Sequence, residues 1–350
     1  MTVKVTKPAI NVREELADLR KPTGIAGEAM LRAETPQEQQ ALIGVGRKNL
    51  IFNGNFIISQ RASYTSATSA SNDQYYVDRW SVRLANVTAN IQHILGSNAS
   101  PNYPYKASNS LRLTATNTAV GRLRHLQRVE GFLDGQTLTF SAWVKSNSPN
   151  ARLFQYQHDG GYRVSSSAHS GNGGWEFLSV TVKNKATSNN QLYFDAAIGT
   201  STFGNVSITS GDYIEISEAQ MEINKVATPF EYRSYGEELA LCKRYYERYD
   251  DTGSGLALCA GMWYDTTTVF GPILFEVEKR TNPTFSYNTS GSYEAFRAGS
   301  ASTTSTVAAS RTTVHGTRIG LSGLSGSGTA GQGAWIEIDG GGYLAFDAEL

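Results

Sequence analysis

Apolar and polar residues alternate with a period of two along most of this chain. In GQTLTFSAWVKS, Leu138, Phe140, Ala142 and Val144 share one face, while Thr137, Thr139, Ser141, Trp143 and Lys145 share the other. WEFLSVTVKN repeats the pattern with Leu178, Val180 and Val182, and QLYFDAAIG with Leu192, Phe194, Ala196 and Ile198. The opposite faces therefore carry Trp175 and Tyr193. Clusters of Asn, Ser and Gly separate these segments at sandwich-like spacing, which predicts one β-sandwich over residues 48–235. In DYIEISEAQMEIN the apolar parity switches from Ile214 and Ile216 to Ala219, Met221 and Ile223. An inserted residue near Ser217 and Glu218, a β-bulge, accounts for the switch.

Helical spacing dominates in only two places. Residues 1–47 hold two short capped patterns, Asn11 with Glu14 ahead of Leu16 and Leu19, then Thr35-Pro36-Gln37-Glu38. Helices this short need a surface to dock on, so this segment is expected to be an attachment piece or an oligomer stalk. In GEELALCKRYYERYD, Leu239, Cys242, Tyr246 and Tyr249 recur at helical spacing and predict a linking helix over about 236–249. Beyond it, LALCAGMWY, TVFGPILFEVEK, TRIGLSG, WIEIDG and YLAFDAEL are strand candidates for a second, C-terminal β domain reaching residue 350. The Ser-, Thr- and Gly-rich stretch from Thr303 to Gly333 reads as loops within that domain. The expected class is mainly β: a helical N-terminal segment, a jelly-roll-like sandwich, a linking helix and a second sandwich-like domain over 236–350.

Composition agrees with this picture and narrows the function. Charged residues make up 18%, below the roughly 25% of ordinary soluble domains, and Gly (34), Tyr (18) and Phe (14) suit strands and tight turns. Lys and Arg (31) balance Asp and Glu (31), so no net field steers the chain onto nucleic acid or an anionic membrane. The opening MTVKVTKPAINVREEL lacks an apolar core of signal-peptide length, and no stretch approaches the roughly 18 apolar residues of a spanning helix. Cys242 falls in the helical pattern and Cys259 in a strand, which argues against a disulfide.

Three runs carry a resemblance: GRKNLIFNGNFIISQRA (Gly46 to Ala62), DQYYVDRWSV (Asp73 to Val82) and EAQMEINKVATPFEYRSYGEELALCKRYYERY (Glu218 to Tyr249). Together with KPAINVREELADL and AETPQEQQALIG, they resemble a pattern that recurs in tail fibres and other virion proteins of tailed bacteriophages. It covers roughly residues 8–250. The resemblance implies a homotrimer, attachment to the phage tail or another virion protein through the N-terminal segment, and binding of host-surface glycan by a module similar to carbohydrate-binding modules. It also implies a protein made in the host cytoplasm that acts, as part of the virion, outside the host cell. A fibre adaptor or decoration protein that binds no sugar is the alternative, and a glycan depolymerase the third reading.

The candidate glycan-binding residues are the aromatics Trp143, Tyr156, Trp175 and Tyr193 on the non-core faces, with His158 and Asp195 beside them, because exposed rings stack on sugars and carboxylates fix hydroxyls. A neighbouring loop or subunit covering the same rings is an equally good account. Tyr76, Asp78, Arg79 and Trp80 are read as a structural cluster on a core strand, the Asp78 carboxylate pairing with an arginine. Glu215, Glu218 and Glu222 come nearest to a catalytic carboxylate pair, but they straddle the expected bulge. His93, His125, His158, His169 and His315 show no metal-binding spacing. An enzyme and a cofactor are therefore not expected. Asn53, Asn55 and Asp212 are the loop oxygens that a structural calcium ion would use, although turn chemistry explains them more simply.

Overall fold

A computed structural model describes residues 48–96, 109–130, 135–157, 163–184, 192–297, 299–326 and 328–349. The helices expected within 1–47 lie outside these residues. The first domain carries β1 (Thr68–Ser69), β2 (Tyr75–Val77), β3 (Trp80–Ala85), β4 (Ala89–Ile94), β5 (Ser110–Ala115), β6 (Ala119–Val129) and β7 (Thr137–Ser146). It continues through β8 (Ala151–Gln157), β9 (Arg163–Ser165), β10 (Trp175–Lys183), β11 (Leu192–Ile198), β12 (Val206–Ile208) and β13 (Tyr213–Ile223). Two antiparallel sheets result, ordered β1-β4-β5-β13-β7-β10 and β2-β3-β6-β11-β8-β9, with β12 beside β6. From β5 onward the chain crosses between the sheets at most steps, as in a jelly roll.

The inward rows read from the sequence meet in one core. Leu138, Phe140, Ala142 and Val144 of one sheet face Phe194, Ala196 and Trp80 of the other, all fully buried. Phe194 stacks on Phe140 at 5.8 Å and meets Trp80 edge-on at 5.7 Å. Side chains of this size contribute roughly 1.5–3 kcal/mol each on full burial, so these rows set which face of each strand turns inward.

The parity switch in β13 is a bulge: the register slips between Ser217 and Gln220, and Glu218 takes a left-handed φ of 53°. The bulged Ala219 N–H donates to the Gly54 carbonyl at 2.8 Å. A Cβ on Gly54 would lie 2.1 Å from the Ala219 oxygen, so this close approach requires glycine.

Tyr76, Asp78, Arg79 and Trp80 are all buried, as expected of a core cluster. Their arrangement departs from the expected strand, however. Asp78 and Arg79 form the turn between β2 and β3, with Arg79 at φ 71°. The Asp78 carboxylate accepts from the Gln60 N–H at 2.7 Å, and Arg79 forms its ion pair with Glu349 instead. Parity along one strand shows neither the turn nor an acid 270 residues away in sequence.

Helix α1 (Tyr235–Lys243) opens with a capping box in which the Ser234 hydroxyl accepts from the Glu237 N–H and the Glu237 carboxylate accepts from the Ser234 N–H. It is shorter than the expected 236–249. Tyr246–Asp250 forms β14 instead and pairs with the last strand of the chain, because aromatic residues offered a ladder partner favour the sheet over another helical turn. The second domain then runs β15 (Leu256–Trp263), β16 (Val269–Leu274), β17 (Thr284–Tyr287), β18 (Ser292–Arg297) and β19 (Ser300–Thr304). After these come β20 (Thr306–Ser310), β21 (Gly316–Ser322), β22 (Gly333–Asp339) and β23 (Tyr343–Asp347).

A three-stranded sheet, β14-β23-β17, packs against a seven-stranded one, β19-β18-β22-β15-β16-β21-β20, around Trp263, Ile336 and Phe346. The Thr303–Gly333 stretch, expected as loops apart from TRIGLSG, also contains β20. Thr306 and Val307 suit an edge strand that simple composition conceals. Cys242 and Cys259 are both free thiols.

The two domains meet at buried charges. Arg61 bridges Asp347 at 2.9 Å and Glu349 at 3.3 Å, Arg79 pairs with Glu349, and Tyr245 donates its hydroxyl to Glu130. This joint lies at one end of the sandwich and leaves outward sheet faces uncovered, among them that of Phe177.

Candidate functional site

The outer face of the six-stranded sheet is built by the polar halves of the alternating strands. Its register aligns Trp175, Lys145, Glu215, Arg112 and Gln92 in one row across β10, β7, β13, β5 and β4. Four strand spacings make this row roughly 19 Å long. A second row sets Phe177, Trp143 and Ser217 side by side.

Trp143 and Phe177 contact each other at 5.5 Å between ring centroids, and Phe177 is 47% exposed. Lys145 lies 5.9 Å from the Trp175 ring, and the Arg112 guanidinium lies 4.6 Å from the Tyr213 ring. Arg112 also donates to Glu215 at 2.8 Å, which fixes the guanidinium plane in the middle of the row. Glu215 itself is buried, so what the face presents is its rings at one end and the Arg112 guanidinium beside them, which can stack a sugar ring while hydrogen-bonding its neighbours.

The aromatics singled out in the sequence do not form one platform. Trp143 and Trp175 belong to this face, both half-buried. Tyr193 and Asp195 lie instead on the outer side of the other sheet and are buried there, a correction to their expected projection into solvent. Tyr193 is 7% exposed within a second small apolar cluster with Leu126, Phe154, Ala197 and Phe203. The turn between β11 and β12 covers it by placing Phe203, at φ 67°, over the strand. Asp195 is fully buried and accepts three bonds from Arg124, at 2.8, 3.0 and 3.3 Å. Burial pushes its carboxyl pKa up, with Arg124 opposing. Tyr156 pairs with Tyr193 and with Arg163 in that same sheet. His158 lies outside the described residues.

Phe177 and Arg112 are the members of the face that the sequence reading missed. Phe177 shares the parity of Trp175 and was legible in WEFLSVTVK. Arg112 was not, since it joins the row only through the pairing of β5 with β13.

The other candidate chemistry is held in structural roles. Glu215 serves Arg112 and Ser110, Glu218 accepts from the Tyr232 hydroxyl at 2.6 Å, and Glu222 accepts from the Thr228 N–H and hydroxyl at 2.8 Å each. The three oxygen donors considered for calcium do not converge. Asn53 sits beside the Gly54 turn that meets the bulge of β13, whereas Asp212 precedes the opposite end of that strand. The Asn53 side chain is occupied by Ile58 and Asp78 backbone groups, and Asp212 accepts from the Thr209 N–H at 2.8 Å. Among the described residues no group of three or more His, Cys, Asp or Glu is placed to hold a metal ion.

No protein-family model and no curated protein matches the sequence. Solved structures do show similarity. One is the enzymatically active domain of bacteriophage CBA120 tailspike protein 4, at 12% identity over 50% of this chain and 21% of that one, with a TM-score of 0.33. Another is TmCBM61 in complex with β-1,4-galactotriose, at 12% identity over 51% of this chain and all (100%) of the module, TM-score 0.28. A third is the CBM22-1 xylan-binding domain from Paenibacillus barcinonensis, at 14% identity over 47% and 99%, TM-score 0.28. This chain thus spans about a fifth of the tailspike structure but whole carbohydrate-binding modules. Scores at this level leave the functional reading to rest on the side chains of the chain itself.

Proposed function

We propose that this chain is a non-enzymatic, glycan-binding virion protein of a tailed phage, a homotrimeric tail fibre. In this reading residues 1–47 attach to the phage tail or another virion protein, and the outer face of the six-stranded sheet meets host-surface glycan. The observation that carries the glycan reading is the Trp143–Phe177–Trp175 group on the outer sheet face, with Phe177 47% exposed and Lys145, Arg112 and Gln92 in the same face. Single sugar sites are weak, and three copies on one assembly raise avidity about 10²- to 10⁴-fold. The C-terminal sheet offers a surface for the other copies to cover, since Trp335, Met262 and Leu274 are 53%, 54% and 79% exposed.

The test is binding of purified protein to host cells before and after periodate oxidation of their surface sugars. Loss of binding on oxidation is expected, and Trp175→Ala with Phe177→Ala should weaken binding to untreated cells by about tenfold or more, each stacking ring contributing on the order of 1 kcal/mol. Binding that survives oxidation, or is absent, returns the protein to a structural adaptor. Release of reducing sugar would make it a depolymerase. Light scattering should give three times the chain mass; a monomer at micromolar concentration counts against the fibre.

A further inference from the structure

The polar row on the outer face of the six-stranded sheet runs between two aromatic borders. Trp175, Lys145, Glu215 and Arg112 stand side by side across β10, β7, β13 and β5. Two residues along on one flank lie Phe177 and Trp143, in contact with each other at 5.5 Å. Two residues along on the other flank lies Tyr213, whose hydroxyl is 3.4 Å from the carbonyl of Gly173, just ahead of β10. Residues two apart on a strand are separated by roughly 7 Å, so the borders stand about 14 Å from each other with the charged row between them.

Two of the three charges in that row cancel. Arg112 donates to Glu215 through its Nε at 2.8 Å and through a terminal nitrogen, and the Ser110 hydroxyl donates to the same buried carboxylate. The Arg112 guanidinium also lies 4.6 Å from the Tyr213 ring, which helps to hold it over β13. Its fork is thus largely taken. Lys145 is left over: it is half-buried, its Nζ lies 5.9 Å from the Trp175 ring, and it has no carboxylate partner among the described residues. Glu218 and Glu222, further along β13, accept from Tyr232 and Thr228. One unanswered positive charge therefore sits beside a ring that can stack a sugar.

We propose that this face selects an acidic sugar, one carrying a carboxylate on its ring in the manner of a hexuronic acid, and that Lys145 reads the charge. A pyranose stacked on Trp175 lies about 3.5–4 Å above the indole, and its carboxylate projects from the sugar's edge. An ammonium 5.9 Å from the centre of the same indole is placed to meet it there. Such a charge-assisted bond is about twice as strong as a neutral one, and lysine, a compact point charge, is satisfied by a single carboxylate. A neutral sugar would use the rings equally well and gain nothing from Lys145. The inference rests on the glycan-binding reading of this face and adds the class of sugar to it.

Calorimetric titration of the full chain compares galacturonate oligomers and mannuronate oligomers, each as the free acid and as its uncharged methyl ester. At least one free acid should bind about tenfold more tightly than its own ester, with the preference shrinking as salt rises. Lys145→Gln should bring that acid and its ester to equal affinity, whereas Lys145→Arg should keep the preference, both variants melting at the temperature of the parent. The proposal is overturned if neither acid binds, if each acid and its ester bind the parent alike, or if Lys145→Gln retains the preference. Cell binding that is lost on periodate oxidation but is equal for the parent and Lys145→Gln would sink the acidic-sugar inference and leave the glycan reading standing. Cell binding that survives oxidation, with none of the four oligomers bound, would sink both.

Discussion

Asp78 is buried beside the domain joint with one carboxylate oxygen accepting from Gln60 and the other lacking a hydrogen-bond partner. Burial pushes its pKa up to about 7, with Arg61 opposing and Glu349 adding to the rise. A raised carboxyl pKa favours the folded state fully below the unfolded value of 3.8, and that contribution is lost as pH rises through about 7. His125 works the other way. Burial lowers its pKa to about 4 from 6.5, so its contribution is complete above about 6.5 and is lost as pH falls through about 4. Between these limits the two slopes oppose each other. Asp78→Asn should therefore gain stability over the parent progressively from about pH 4 to about pH 7, by up to about 1.4 kcal/mol per pH unit, and hold a constant gain above it. Melting curves of both proteins across this range check it, and a difference that does not change with pH would refute the assignment.

At the scale of elements, the bulge of β13 and the Gly54 turn form a lock that one methyl group should break. Gly54→Ala places a Cβ against the Ala219 carbonyl, and a cost of about 3 kcal/mol or more is expected. Gly236, in the first turn of α1, has open space around its Cβ position. There Gly→Ala should gain about 0.5–1 kcal/mol, since alanine loses less backbone entropy in a helix. Ser234→Ala removes the capping hydroxyl and should cost about 1 kcal/mol. Denaturant titrations of the three variants give the signs directly. The bulge was legible because parity must switch where a residue is inserted. The end of α1 was not, because Tyr246 and Tyr249 satisfy helical spacing and strand propensity equally, and only the partner strand β23 separates the two.

For the molecule as a whole, the C-terminal acids hold the domains together. Glu349 receives Arg79, whose guanidinium is buried, and Arg61 from the sandwich. Glu349→Ala leaves the Arg79 charge buried without its partner, at a cost of about 3–5 kcal/mol. Calorimetry should then show the domains unfolding in two transitions at separate temperatures, whereas a single transition shifted as a unit would mean that other contacts couple them. A trimer built on the exposed apolar rows of the C-terminal sheet would leave the Trp143–Phe177 face of the sandwich uncovered.

Periodicity by itself determined which strands exist and which side of each turns inward, because burial of Phe140, Phe194 and their neighbours contributes far more than any outward residue. It also located the bulge and the buried character of Tyr76 and Trp80. What it did not determine was the fate of the outward side, which depends on what packs there. Trp143 and Trp175 stayed accessible, while Tyr193 and Asp195, with the same alternation, were covered by Phe203 and held by Arg124. Which outward residues become neighbours is likewise a matter of strand order and register. The meeting of Arg83 with Arg124, or of Lys145 with Glu215 and Arg112, is made by hydrogen-bonded ladders between segments far apart in sequence, so only the tertiary structure decided it.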